Sequence, residues 1–269
     1  MKRVALIGYG AIGRSIAARM LQVGSAHLKL VAVQMREYQL ESGRLELPPE
    51  LLATSRIEEL LATAPDVVIE AASHEALAQW GPTVLGTGCE LFVLSTGALA
   101  ADELREKLSL EARRGGGQLS IPCGALAGFD GLLSLREAGL TQVTYRSTKP
   151  PAAWRGTEAE TVCDLDGLQE ARVIFQGSAR EAALRFPRNA NLAVAVALAG
   201  VGLDTTQVQL VADPRARGNS GHLVARSHSA VLDVEVTSTA FDSNPKTSEI
   251  TGLSVVAALT NRAGLIRYQ

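Results

Sequence analysis

Arg3-Val4-Ala5-Leu6-Ile7-Gly8-Tyr9-Gly10-Ala11-Ile12-Gly13 is the stretch that decides the fold. Arg3 to Ile7 is an apolar run without alternation, the pattern of a parallel strand covered on both faces. Three glycines follow at G-x-G-x-x-G spacing. Arg14 to Val23 then sets Ile16, Ala17, Met20 and Leu21 at helical spacing, with Gly24 as C-cap. Leu28 to Val33 is a second apolar strand, which completes a β-α-β unit of about thirty residues, the length one parallel crossover needs. The glycine spacing is a weak sign by itself; lying between a buried strand and the first turn of a helix makes it a dinucleotide fingerprint. There Gly8 permits a tight turn, Gly10 lets the backbone approach a diphosphate, and Gly13 lets helix and strand pack closely. The amides at the helix N-terminus, those of Ala11 and Ile12 among them, then face the phosphates.

The end of the second strand reads the ribose. A carboxylate there usually takes the ribose hydroxyls, and a cation accommodates a 2′-phosphate. This chain offers Gln34, Met35 and Arg36. With no carboxylate to repel a phosphate, NAD and NADP are both expected as cofactors.

Outward from this unit the rhythm continues. Ser55 to Glu58 reads as a capping box opening a short helix to Ala62, and Asp66 to Glu70 as a third buried strand. His74 to Leu85 reads as helix, Leu91 to Leu94 as strand, Asp102 to Arg113 as a capped helix and Gln118 to Ile121 as strand. Residues 36–50 interrupt the pattern and read as a polar surface excursion. After Pro122 strands cluster without alternating helices: Gln142 to Thr148, Val208 to Ala212, His222 to Ser227 and Val231 to Thr239. In the last, Val231, Asp233, Glu235 and Thr237 alternate with Leu232, Val234 and Val236, as in a half-exposed antiparallel sheet. Asn191 to Val201 reads as a buried helix, Ser248 to Asn261 as a final helix and residues 150–165 as a long loop. The expected class is α/β, an N-terminal Rossmann dinucleotide-binding domain over residues 1–124, then an α+β substrate and dimerisation domain over 125–246 with a mostly antiparallel sheet. Residues 247–269 are expected to pack back on the first domain.

A length of 269 residues suits two such domains at roughly 150 residues each. Lys and Arg number 26 against 28 Asp and Glu, a net charge of −2 that gives nucleic acid no electrostatic footprint. No apolar run approaches the ~20 residues of a bilayer span, and the amino terminus runs straight into a strand, so a cytoplasmic protein without a membrane partner is expected. Three widely spaced cysteines fit neither a disulfide framework nor a metal site.

In an open parallel sheet the ligand lies beyond the carboxyl ends of the strands. Those ends are Glu70-Ala71-Ala72-Ser73-His74, Ser95-Thr96-Gly97-Ala98-Leu99 and Pro122-Cys123-Gly124-Ala125-Leu126-Ala127-Gly128. Small residues such as Ala72, Ser73, Gly97 and Ala98 leave room for a flat ring, and also suit plain αβ connections. Among four histidines His27 falls on the wrong edge of the sheet, His74 at a helix start and His228 in a turn. His222 follows a flexible Gly- and Ser-rich approach and is the candidate acid–base group. Cys123, at a strand end, is a rival nucleophile suited to acyl-enzyme chemistry. Asn244-Pro245-Lys246-Thr247-Ser248 sets a lysine and two hydroxyls just before the last helix, which favours an anion.

Several segments together resemble the L-aspartate dehydrogenase family. They are the glycine loop, Val68-Ile69-Glu70-Ala71-Ala72-Ser73, Ser95-Thr96-Gly97-Ala98-Leu99, Gly124-Ala125-Leu126-Ala127-Gly128-Phe129-Asp130, Phe186-Pro187-Arg188-Asn189-Ala190-Asn191, the stretch ending at His222, and Asn244-Pro245-Lys246-Thr247-Ser248. The resemblance runs the whole length. It implies a homodimer that interconverts L-aspartate with oxaloacetate and ammonia through iminoaspartate, a catalytic histidine at His222, and cofactor contacts at Ala125 and Asn191. Two departures stand out: Cys123 replaces a serine, and the asparagine two residues before the histidine is Ser220 here, with Asn219 adjacent. The substrate's two carboxylates need two anion sites; Lys246 and Thr247 before the last helix are candidates for one, and the arginines of residues 180–188 or 215–217 for the other. Alternatives of similar build are an acylating semialdehyde dehydrogenase using Cys123 and a non-catalytic NAD(P)-binding sensor.

Overall fold

Lys2–Ile7 (β1) is the strand from which the first sheet grows, with Val4 to Ile7 buried. It continues through Ala11–Val23 (α1), Leu28–Gln34 (β2), Leu40–Glu46 (α2), Leu52–Thr54 (β3), Ile57–Ala62 (α3), Val67–Glu70 (β4), His74–Gly86 (α4), Glu90–Val93 (β5), Asp102–Gly115 (α5) and Gln118–Ser120 (β6). All six strands pair in parallel in the order β3-β2-β1-β4-β5-β6. The order reverses between β1 and β4, which makes their carboxyl ends the switch point of a Rossmann-type sheet. These coordinates are a computed structural model that describes residues 1–24, 27–241 and 244–268, without the side chains of 23, 240, 241 and 244–247. The chain divides into two units, Met1–Pro122 with Gly252–Gln269, and Cys123–Thr251.

The last helix, Ile250–Ala263, gives Val255, Val256 and Leu259 to the first unit's core, beside Val4, Leu6 and Ile16. It comes close because Gly252 has no side chain: a Cβ there would stand 3.2 Å from Ile16 and 3.4 Å from Ile12.

The second unit runs Phe129–Glu137 (α6), Leu140–Lys149 (β7), Ala159–Val162 (α7), Arg172–Ser178 (β8), Ala179–Arg185 (α8), Asn191–Ala199 (α9), Gln207–Ala212 (β9), Asn219–Ser227 (β10) and Val231–Ser238 (β11). Its sheet has the order β11-β10-β7-β9-β8, antiparallel except for the β7–β9 pair. Helices α6, α8 and α9 pack on one face, over Val143, Leu210 and Leu223. The other face carries Arg146, Gln209, His222, Asp233 and Glu235, exposed or half-buried. A short hairpin, Ala240–Phe241 (β12) with Asn244–Ser248 (β13), precedes the last helix.

Several sequence expectations change. The polar excursion at 36–50 holds a 3-10 turn at Glu37–Gln39 and α2, and leads into β3. Its charged residues hide a narrow inward edge of Gly43, Leu47 and Leu51. Ser55 does not cap α3. Arg56 is the N-cap, Thr54 Oγ1 accepts the Arg56 amide at 3.0 Å, and the Ser55 hydroxyl donates to Glu37. Asp102 is likewise no cap; it lies in the first turn of α5 and pairs with Arg105 at 2.5 Å. The loop at 150–165 is anchored by a 3-10 turn at Pro151–Trp154, with Trp154 fully buried and its Nε1 donating to the Val211 carbonyl at 3.1 Å. The final helix begins at Ile250 because residues 244–248 are spent on β13.

Candidate active site

The carboxyl ends of β1, β2 and β4 enclose a cleft of about 320 Å³, lined by Gly8, Gly10, Gln34, Arg36, Ala72 and Ser73 among others. Gly8 has φ +98°, and a Cβ on it would stand 2.7 Å from the Ala71 carbonyl oxygen. Gly13 is tighter still, its Cβ position only 2.1 Å from the Gly8 carbonyl oxygen. Gly10 differs, since nothing lies within 4 Å of where its Cβ would be. It is the N-cap of α1 and has no side chain to cap with, so the amides of Ala11, Ile12 and Gly13 open a helix end beside free space. Unfilled room over a glycine at a helix N-terminus fits a diphosphate.

At the end of β2, Gln34 is buried and donates from Nε2 to the Ser55 carbonyl at 3.3 Å. Arg36 is exposed at the rim, its Nη1 donating to the Tyr38 hydroxyl at 3.1 Å. Glu37, the nearest carboxylate in sequence, is engaged by Ser55.

Glu70 was not singled out by sequence reasoning, although its place at the end of a buried strand was the signal available. It is 1% exposed and accepts four hydrogen bonds: from the amides of Ala72 (2.8 Å), Ser73 (3.0 Å) and Ser95 (3.0 Å) and from the Ser95 hydroxyl (2.8 Å). Burial pushes its carboxyl above the ordinary range, and these bonds pull partly back. The loops after β4 and β5 are thereby tied to one carboxylate. Ala72 and Ser73 line the cleft while their amides face Glu70, and the Ser73 hydroxyl accepts the Ala76 amide to cap α4. Gly97 and Ala98 lie in a 3-10 turn, Thr96–Ala100, directly after Ser95.

In the second unit, Ala125 is buried and Asn191 opens α9. They belong to one neighbourhood: a Cβ on Gly124 would touch Leu192 at 3.1 Å. Leu126 and the Tyr145 hydroxyl lie 3.3 and 3.1 Å from the Cβ position of Gly221, on the helix-covered face. His222, one residue on, points to the opposite face by strand parity. Its Nε2 meets Asp233 Oδ1 at 2.7 Å, and in register it pairs with Arg146. Ala125 and Asn191 thus neighbour a contact between the loop after β6 and α9, and the His222 side chain lies on the open face of its sheet. Cys123 is exposed. Lys246 and Thr247 belong to β13, and their side chains lie outside the described residues. Among the described residues no group of three His, Cys, Asp or Glu side chains suits a metal ion, and no helix is long and apolar enough to cross a membrane.

Residues 130–262 match the family described as aspartate dehydrogenase, C-terminal, and residues 8–122 match the homoserine dehydrogenase NAD binding domain. An L-aspartate dehydrogenase of Serratia proteamaculans is 42% identical over 258 residues, covering 96% of both chains. An L-aspartate dehydrogenase 2 of Bordetella bronchiseptica is 40% identical, over 99% of this chain and 98% of its own. The fold is that of the aspartate dehydrogenase of Thermotoga maritima, with a TM-score of 0.77 over the whole of both chains at 23% identity. A nicotinamide-binding Rossmann unit joined to a second unit of the aspartate dehydrogenase type, with relatives matched almost end to end, places this chain in the L-aspartate dehydrogenase family.

Proposed function

We infer that this chain interconverts L-aspartate with oxaloacetate and ammonia through iminoaspartate, using NAD or NADP. The observation that carries this reading is the open cradle at Gly10 in a chain matched over its length by L-aspartate dehydrogenases. Gly8, Gly10 and Gly13 shape the loop, and the amides of Ala11 and Ile12 hold the diphosphate at the positive end of α1. Gln34 and Arg36 border the adenosine ribose. Ala72, Ser73, Gly97 and Ala98 form the floor for the flat ring, and the family resemblance adds Ala125 and Asn191 as cofactor contacts. When bound, the nicotinamide exchanges a hydride with the substrate's α-carbon.

Small-molecule substrates follow from this reading, as do the homodimer that the resemblance implies and a cytoplasmic location. Arg36 at the rim, with Glu37 held by Ser55, supports use of NADPH as well as NADH. Oxidation of each reduced nicotinamide by the purified protein, followed with oxaloacetate and ammonium, tests the whole reading. Turnover that needs both co-substrates is expected, with Michaelis constants for the two nicotinamides within about tenfold. Binding of NADH without turnover would instead favour a sensor. Cys123→Ser should leave aspartate oxidation largely intact, as an acylating mechanism would not.

A further inference from the structure

We propose that Ser55 is a specificity-determining residue at the ribose end of the cleft: its hydroxyl holds the Glu37 carboxylate aside, and this restraint lets Arg36 receive the 2′-phosphate of NADPH. The proposal rests on the nucleotide-binding part of the reading above and not on the reaction. In a Rossmann-type sheet a carboxylate at the end of the second strand takes the ribose hydroxyls, whereas a cation there accepts a 2′-phosphate. This chain has both charges side by side, as Arg36 and Glu37. Which of them meets the ribose therefore decides the nucleotide. The cleft is open beside Gln34, Arg36, Tyr38 and Gln39. Arg36 is held at its rim by Nη1 donating to the Tyr38 hydroxyl at 3.1 Å, and the Gln39 amide closes the turn by donating to the Arg36 carbonyl at 2.8 Å. Glu37, between Arg36 and Tyr38, turns instead to Ser55, whose hydroxyl donates to its Oε2.

Strand β3 brings Ser55 to this place. Gln34 and Thr54 are register partners on β2 and β3, and the Met35 amide donates to the Thr54 carbonyl at 2.9 Å. Thr54 is 2% exposed; its hydroxyl donates to Glu59 at 2.5 Å and accepts the Arg56 amide at 3.0 Å. Ser55 thus follows a residue bonded through both its backbone and its side chain. From there its carbonyl accepts Gln34 Nε2 at 3.3 Å, and its hydroxyl takes Glu37. Arg56, the next cation along the chain, is engaged elsewhere, with Glu58 at 3.9 Å and Glu59 at 3.5 Å. Without the Ser55 hydroxyl, Glu37 is an exposed carboxylate one residue from Arg36, on the same 3-10 turn. A carboxylate released there competes with a 2′-phosphate for the guanidinium and repels its charge, and it is able to accept a ribose hydroxyl of NADH. One hydrogen bond to an exposed carboxylate contributes little to stability, so the restraint shows in nucleotide preference and not in folding.

Wild type, Ser55→Ala, Glu37→Gln and the double variant together separate this restraint from the shape of the loop. Each is titrated with NADPH and with NADH, followed by nucleotide fluorescence, and its urea midpoint is compared with wild type. Wild type should bind the two nucleotides within about tenfold of each other. Ser55→Ala should weaken NADPH binding by about fivefold, with NADH bound within about twofold of wild type or more tightly. Glu37→Gln should bind NADPH within about twofold of wild type. In the double variant the loss of NADPH affinity should disappear, because no carboxylate remains to be released. Ser55→Thr, which keeps the hydroxyl, should keep NADPH affinity. If Ser55→Ala does not fold, Ser55→Cys, of similar volume and only a weak donor, carries the same comparison. NADPH affinity unchanged in Ser55→Ala overturns the proposal, and so does a loss that persists when Glu37 is also replaced, or a wild type that binds NADH but not NADPH. Titration needs no turnover, so a protein inactive on oxaloacetate that shows the expected pattern would sink the aspartate reading and leave the role of Ser55 standing.

Discussion

Gly10 and Gly13 sit three residues apart in one loop and are constrained by opposite circumstances. At Gly13 a methyl group would collide with the Gly8 carbonyl oxygen, so Gly13→Ala must push α1 away from the strand end. Overpacking of this kind typically costs about 1–3 kcal/mol, and a lowered urea midpoint is expected. At Gly10 the same methyl meets no protein atom. Gly10→Ala should keep the wild-type midpoint and weaken NADH binding by about tenfold or more, read by fluorescence titration, because it fills the space a diphosphate would occupy. His222 is the residue that the sequence reads as the acid–base group. Its imidazole has the right chemistry and an orienting carboxylate in Asp233, on the face of β10 opposite Leu126 and Tyr145. His222→Ala is expected to lower kcat by about a hundredfold or more while NADH binding survives; an unchanged kcat would refute the acid–base role. Spacing located that histidine, whereas only the burial of Asn219, Gly221 and Leu223 fixes the parity of its strand.

At the scale of elements, the ends of β4 and β5 are joined by Glu70. Its raised pKa means that the folded chain holds the proton more tightly than the unfolded chain. The stability this contributes is fully present below the unfolded pKa and is lost as pH rises through the folded one. Glu70→Gln should remove that dependence from urea denaturation curves taken from acid to neutral pH. It should also lower stability by about 1–3 kcal/mol, since an amide offers one oxygen to four donors. A variant with the same pH profile as wild type would show that Glu70 does not titrate in this range. The elements themselves were unevenly legible. The β1-α1-β2 unit and β11 follow their hydrophobic periods closely. β8 was missed because a bulge between Val173 and Phe175 breaks its alternation, although Ser178 and Glu181 form a capping box that announces α8. β3 has three residues, too few for any period, and its strand character comes from pairing with β2.

For the whole molecule, the alternation of strands and helices before Pro122 and its loss afterwards marked out a parallel sheet and a mostly antiparallel one. The buried row on β7 was not legible, because Tyr145, Ser147 and Lys149 alternate with Thr144, Arg146 and Thr148 and look no less like a solvent-facing strand. Helices α6, α8 and α9 decide which set is covered. The first unit, in turn, is discontinuous in sequence, since Val255, Val256 and Leu259 reach its core from beyond the second. Residues 1–122 made alone should expose the apolar flank of α1 and bind a hydrophobic dye. Joining residues 250–268 to them by a flexible linker should abolish that binding, and dye uptake equal in both would contradict the packing. During synthesis the nucleotide-binding half must therefore wait, its core open along one side, until the ribosome has finished the other half and released the closing helix.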